Sequence, residues 1–250
     1  MVTDSKIVCI VPARSGSKSI KHKNIIKLKS HPLFMYSIAA AKLSKKIDQI
    51  IFSTDDIEYK NIAESYGLEV PFLRPDSFST DLSTDRDFLL HAMDWYKINY
   101  GDCPEYWVHL RPTTPLRDPN LIDEAINKIL KDTDATSLRS AHQAPESPLK
   151  WFKMSSDKKY FFGFNENDEK LEEFNKPKEL FEDIYIPNGY VDVVRASYMT
   201  KNHDIHGKKM IAFQTPSCTE VDSIAEMNYL MYQMNEEGSY LHDYLCELNK

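Results

Sequence analysis

Short apolar runs of strand length alternate with longer helix-like segments through residues 6–141, and this pattern limits the folds open to the chain more than any other. "KIVCIV" (6–11) is continuously apolar and reads as a buried strand. "PLFMYSIAAAKLSKK" (32–46) opens on proline, is rich in helix formers and reads as a helix. "QIIFSTDD" (49–56) follows as a second strand, and "IEYKNIAESYG" (57–67) as a helix stopped by Gly67. "LEVPFLRP" (68–75) reads as a third strand, 86–101 as a helix with Phe88, Leu89, Ala92, Met93 and Tyr96 on one side, and "EYWVHLRP" (105–112) as a fourth strand. A helix over 118–131 and a fifth strand over 134–141 complete the series. Such alternation predicts an α/β fold with a mainly parallel sheet covered on both faces. Ligands of such sheets gather outside the carboxyl ends of the strands, where strand order reverses. The residues just past the strands are Arg14 to Lys18, Asp55, Arg74, and Arg111 to Arg117.

The pattern changes after about residue 142. "SPLKWFKM", "KKYFFGFN" and "DIYIPNGYVDVVRAS" read as strands around a charged stretch, so 143–195 is expected to be a β-rich insertion in one domain spanning 1–250. One more strand (208–215) and two helices are expected to close the chain.

Charge narrows the function classes. The 31 basic and 38 acidic residues leave a formal charge of −7, the wrong balance for coating nucleic acid. No run reaches the ~18 apolar residues of a membrane helix, and the first residues lack a signal-peptide pattern. Cys9, Cys103, Cys218 and Cys246 lie far apart with no C-x-x-C pair, which favours a reduced, cytoplasmic protein without structural zinc. "KNHDIHGKK" (201–209) could space two metal ligands, but a polar turn is the simpler reading.

Against that acidic background, "PARSGSKSIKHKN" (12–24) gathers Arg14, Lys18, Lys21 and Lys23 among small residues. Ala13, Ser15, Gly16 and Ser17 would let a phosphate chain approach backbone N–H groups, with the cations neutralising it. A merely solvated basic loop is the alternative. The loop fits neither G-x-G-x-x-G nor the P-loop spacing. The string "VPARSGSKSIKHKNI", however, resembles the N-terminal signature of the nonulosonic-acid (acylneuraminate) cytidylyltransferases. The resemblance continues in order through "IIFSTDD", "FLRP", "HLRPTTPLRDP", "SPLKWF", "PNGYVDVV" and "TEVDSIAEM".

That resemblance implies a three-layer, Rossmann-like nucleotidyltransferase (GT-A-like) fold whose insertion mediates homodimerisation. It implies a reaction in which CTP and a 2-keto sugar acid give a CMP-sugar and pyrophosphate. Arg14, Ser15, Gly16 and Ser17 would cradle phosphates, Lys23 and Asn24 would meet the nucleotide, and Arg74 would contact its base or ribose. Arg14, Lys23 and Asp222 would carry the chemistry. Glu220 and Asp222 would hold Mg²⁺, whose hard character suits carboxylate and phosphate oxygens; read alone, the two acids could instead cap the helix that begins near Ser223. Asp55, read alone, could cap the helix after it. Lys150 and Lys178 would reach a sugar carboxylate from a partner subunit, beside the Asn188-Gly189 turn.

The chain departs from the pattern it resembles at three sites. Arg111 stands where glutamine is common near the sugar, Glu220 stands where aspartate is usual, and Asp85 stands where a serine meets the nucleotide. A bare carboxylate beside triphosphate is unfavourable, so Asp85 needs a cationic partner, for which Arg86 is the nearby candidate. The rival readings are a nucleotidyltransferase of the same fold using another sugar or GTP, a GT-A-like glycosyltransferase, and a non-catalytic nucleotide-binding protein.

Overall fold

The computed structural model describes residues 6–164 and 171–248. In chain order, its strands and helices are β1 (Ile7–Pro12), β2 (Lys27–Leu28), β3 (His31–Pro32), α1 (Leu33–Leu43), β4 (Gln49–Ser53), α2 (Ile57–Ser65), α3 (Asp85–Tyr100), β5 (Tyr106–His109), α4 (Pro119–Lys131), β6 (Ser137–Gln143), β7 (Phe152–Met154), β8 (Phe161–Gly163), β9 (Tyr185–Arg195), α5 (Ala196–Lys201), β10 (Met210–Gln214), α6 (Ile224–Glu236) and α7 (Tyr240–Leu248).

Six strands form the central sheet in the order β10-β6-β9-β5-β1-β4. β1 is parallel to β4 and β5, β10 is parallel to β6, and β9 runs antiparallel between β5 and β6. The continuous apolarity of β1 follows from its position. Ile7, Cys9 and Val11 enter one core, while Val8 and Ile10 enter the core on the opposite face. The first core takes Phe34 and Ile38 of α1, Ile122 and Ile126 of α4, Leu230 of α6 and Leu245 of α7. The second takes Phe88, Leu89 and Met93 of α3 and Met199 of α5. These two cores make the three-layer α/β/α arrangement expected from the sequence.

Two expectations are corrected. The segment 68–75 is not a strand: it meets the sheet only through a single parallel bridge between Thr54 and Leu73. Pro71 interrupts it and Pro75 ends it, and proline cannot supply ladder N–H groups. The β-rich insertion is also shorter than 143–195, because Tyr185–Arg195 is β9, an interior strand of the main sheet. Outside that sheet, the insertion holds the antiparallel pair β7–β8. Residues 165–170, within the charged stretch of this region, lie outside the described residues.

β1 has β4 on one side and β5 on the other, although β4 directly follows it among the sheet strands. The connections leaving β1 and β5 therefore diverge at a switch point, which opens a crevice at the carboxyl ends of the strands.

A basic cleft at the strand ends as candidate active site

The crevice is a cleft of about 440 Å³. Arg14, Ser17, Lys18, Lys23 and Asn24 from the loop after β1 line it with Arg74, with Thr84, Asp85 and Phe88 at the start of α3, and with His109, Arg111 and Thr113 at the end of β5 and beyond. Five cationic side chains thus face one carboxylate in a chain of net charge −7, a local potential suited to a small polyanion.

The first loop is held in shape from below. Ala13 N–H donates to the Ser53 carbonyl at 2.9 Å. Ser15 N–H donates to Asp55 Oδ1 at 2.9 Å, and its hydroxyl reaches Oδ2 at 3.2 Å. Asn24 Nδ2 donates to the Arg14 carbonyl at 3.0 Å. Ser15 and Asn24 therefore brace the loop here, and Asn24 also lines the cleft. Asp55 also differs from the capping alternative: Asp56 caps α2, accepting from the N–H groups of Glu58 and Tyr59. A Cβ placed on Gly16 would meet no heavy atom within 4 Å, so that stretch lies open. Arg14 Nη1 donates to the Thr80 carbonyl at 2.6 Å, and Lys18 lies 2.7 Å from Asp81. The loop carrying Thr80 and Asp81 thus tethers two of the cations at the rim.

Lys23 is 8% exposed, and its ammonium donates to the Val221 carbonyl at 2.9 Å and to Asp222 Oδ1 at 2.8 Å. Glu220 Oε1 accepts from the Thr113 hydroxyl at 3.0 Å. Val221 is buried between the two acids, as alternation along an extended segment requires. Neither acid caps α6; Ser223 and Glu226 form its capping box. Thr113 and Lys23 both line the cleft, so Glu220 and Asp222 sit directly behind its wall.

Arg74 is 4% exposed, and its Nε and Nη2 have no hydrogen-bond partner among the described residues. Its guanidinium lies 5.6 Å from the Phe88 ring centroid, and burial lowers its pKa. A buried guanidinium with unfilled donors in the wall of a cleft calls for an anionic or hydrogen-bond-accepting ligand.

Asp85 does not pair with Arg86. Its carboxylate lies 2.5 Å from Nη2 of Arg111, while Arg86 reaches the carbonyls of Met199 and Asn202. Two of the departures seen in the sequence are thus partners of each other. Burial raises the Asp85 pKa, but the His109 ring and the Arg111 guanidinium outweigh it and the net shift is downward. Beneath them Asp192 is 2% exposed and lies 3.7 Å from Arg111 and 3.9 Å from Arg139. Burial raises its pKa in spite of both arginines.

Gly189 stands at φ +60°, and a Cβ there would come within 2.6 Å of Arg111 Cδ. Glycine therefore supplies both the left-handed turn and the room for Arg111. Asn188 is buried; it accepts from the Ser140 hydroxyl at 2.9 Å and donates to Thr215 Oγ1 at 2.7 Å. Its side chain fastens β9 and so acts on the cleft through the fold. Arg117 is also buried, and donates to the carbonyls of Arg111, Gly189 and Tyr190. Lys150 and Lys178 do not line this cleft. Lys150 Nζ donates to the Lys176 carbonyl, and Lys178 lies beside Phe181 on the insertion.

The sequence reading missed Asp192, His109 and the Thr80–Asp81 rim. A charged residue inside the apolar run "GYVDVV" is the signal that could have found Asp192, since a buried charge needs partners.

The cytidylyltransferase family model matches residues 8–214. An N-acylneuraminate cytidylyltransferase of Escherichia coli is 41% identical over 122 residues, covering 49% of this chain and 28% of that protein. A pseudaminic acid cytidylyltransferase of Campylobacter jejuni is 34% identical over 127 residues, covering 51% of this chain and 54% of that protein. The chain thus spans about half or less of these curated relatives. A post-translational flagellin modification protein B of Campylobacter coli is 28% identical and covers 90% of this chain and 92% of its own length. Among solved structures, a CMP:2-keto-3-deoxy-manno-octonic acid synthetase complexed with CTP superposes with a TM-score of 0.68 at 14% identity, over 93% of this chain and 100% of that one. The last match shows the fold, and the family match shows kinship: this chain belongs to the cytidylyltransferase family.

Proposed function

We propose that the protein activates a 2-keto sugar acid of the nonulosonic type with CTP, giving the CMP-sugar and pyrophosphate. The observation that carries this reading is the set of cations around one cleft at the switch point, with Arg74 buried and unfilled beside it. The names of the Escherichia coli and Campylobacter jejuni relatives support the acceptor class.

The anomeric hydroxyl oxygen forms a bond to the α-phosphorus of CTP as the bond to the bridging oxygen breaks. Pyrophosphate leaves with the electron pair, and the hydroxyl proton passes to solvent. The protein orients the reactants and neutralises charge on the departing phosphates. Arg14, Lys18 and Lys23 hold the leaving phosphates, together with the backbone N–H groups of the open stretch around Gly16 and Ser17. Arg74 binds the nucleoside side of CTP. Arg111, set by Asp85 and Asp192, meets the sugar acid. Asp222 is oriented by Lys23 and largely exposed, and its hard oxygens, with those of Glu220, fit Mg²⁺. A bound Mg²⁺ supplies Lewis-acid neutralisation of phosphate charge.

The exposed Trp151, Phe152, Phe161 and Phe162 of the insertion support a twofold homodimer through this arm. Sedimentation should then give a dimer mass, and Phe161→Glu with Phe162→Glu a monomer. A wild-type monomer would remove the dimer from the proposal.

The deciding experiment measures CTP- and Mg²⁺-dependent pyrophosphate release with sialic, legionaminic, pseudaminic and Kdo-type acids, and identifies the CMP-sugar by mass. Arg14→Ala and Asp222→Ala should each lower turnover by ~10²–10³. Release of pyrophosphate only with GTP, or with none of the acids, would overturn the reading. Near-normal turnover in either variant would remove that residue from the mechanism.

A further inference from the structure

A second group of chemistry-bearing side chains lies on other elements and lines no part of the basic cleft. His31 of β3 and His242 and Cys246 of α7 place three metal-binding atoms within 4.8 Å of one another. His242 and Cys246 are four residues apart on one helix and so share a face. His31 Nε2 lies 3.4 Å from Cys246 Sγ, and Sγ lies 3.6 Å from His242 Nε2. A tetrahedral zinc ion with the usual Zn–S and Zn–N bond lengths separates sulfur from nitrogen by about 3.6 Å. The two rings are tilted at 62° with centroids 5.2 Å apart, so they converge without stacking face to face.

The far nitrogens are also engaged. Tyr36 donates its hydroxyl proton to the Leu28 carbonyl at 2.6 Å, so its oxygen accepts from His242 Nδ1–H at 3.1 Å. That fixes the tautomer in which the Nε2 lone pair faces Cys246. His31 Nδ1 is likewise 3.0 Å from the Tyr66 hydroxyl. A hydrogen bond on the distal nitrogen that orients each imidazole is a regular feature of histidine ligands to metals.

We propose that His31, His242 and Cys246 form a His₂Cys site for a divalent, thiolate-tolerant cation, zinc foremost, with a fourth position left for water or a small ligand. The bound ion joins α7 to the segment entering α1 and so clamps this helix on the core. The absence of a C-x-x-C pair had argued against structural zinc, but this donor set is assembled from two distant parts of the chain, and no short motif encodes it. The proposal does not depend on the nucleotide reading, because none of its residues takes part in that reading.

The experiment titrates the chelator-stripped full chain with Co²⁺ and then displaces the cobalt with Zn²⁺. One equivalent per chain should give tetrahedral visible bands and a near-ultraviolet thiolate-to-cobalt charge-transfer band. Cys246→Ser should abolish the charge-transfer band, and His242→Gln should lower affinity at least tenfold. Tyr36→Phe, which leaves all three ligands in place, should lower affinity by roughly tenfold. Asp222→Asn should leave the band intact, which separates this site from the cleft carboxylates. No charge-transfer band in the wild type, or a band that survives Cys246→Ser, would overturn the proposal.

Discussion

At the scale of single residues, the cleft trades stability for readiness. Arg74 is nearly fully buried without filled donors on Nε and Nη2, a costly state for a charged group. An apolar side chain of similar length relieves that cost. Arg74→Met should therefore raise the thermal midpoint or leave it unchanged, while CTP affinity falls by roughly tenfold or more, since hydrogen bonds to charged groups contribute ~1.5–3 kcal/mol. Differential scanning calorimetry and CTP titration on the same preparation check both halves. A variant that loses stability would show that Arg74 is a structural residue. Arg111 is in the opposite condition, with Asp85 and Asp192 at 2.5 and 3.7 Å. Its charge is already balanced inside the protein, which suits a residue that positions an acceptor more than one that neutralises phosphate.

At the scale of elements, two adjacent aspartates after β4 divide the labour. Asp56 caps α2, whereas Asp55 ties Ser15 and thus the phosphate-facing loop. Asp56→Ala should cost about 1 kcal/mol of stability with little change in KM for CTP. Asp55→Ala should raise that KM and lower turnover with a smaller effect on helix stability. Urea unfolding and steady-state kinetics on the pair check this, and equal kinetic effects from both variants would contradict it. The same pair shows what the sequence could disclose. The order of strands and helices was legible because buried parallel strands are apolar on both faces, as β1 is. The cationic loop was legible because it stands out against an acidic chain. The role of Asp55 was not, because its partner is 40 residues away. Arg111 and Asp85 likewise read as separate oddities until folding set the start of α3 against the residues after β5. Strand β9 was mistaken for part of the insertion because its neighbours in sequence are hairpin-like. Only pairing with both β5 and β6 shows that it belongs to the main sheet.

At the scale of the whole molecule, the floor of the cleft makes stability depend on pH. His109 is 3% exposed, with its pKa lowered to about 3, first by burial and then by the nearby Arg111. Asp85, Arg117 and His206 also act on it, and its Nδ1 lies 4.0 Å from Asp192. The unfolded chain binds this proton near pH 6.5 and the folded chain only near pH 3. The stability contributed by neutral His109 is therefore complete above pH 6.5 and is lost as pH falls towards about 3, with a slope approaching 1.4 kcal/mol per pH unit. His206, lowered to about 4 by burial and by Arg139, acts with the same sign. Asp192, whose pKa is raised, opposes them, since acidification relieves the cost of its buried charge. Asp85, shifted down, adds its loss only at still lower pH. The net expectation is a protein that loses stability progressively from pH 6.5 to pH 4. His109→Gln should flatten that dependence by about one proton while leaving the slope due to His206 in place. Urea midpoints at half-unit pH steps measure the difference. Parallel curves for variant and wild type would mean that the histidine under the cleft is already protonated in the folded state, and the electrostatic account of Arg111, Asp85 and Asp192 would have to be redrawn around a positive ring.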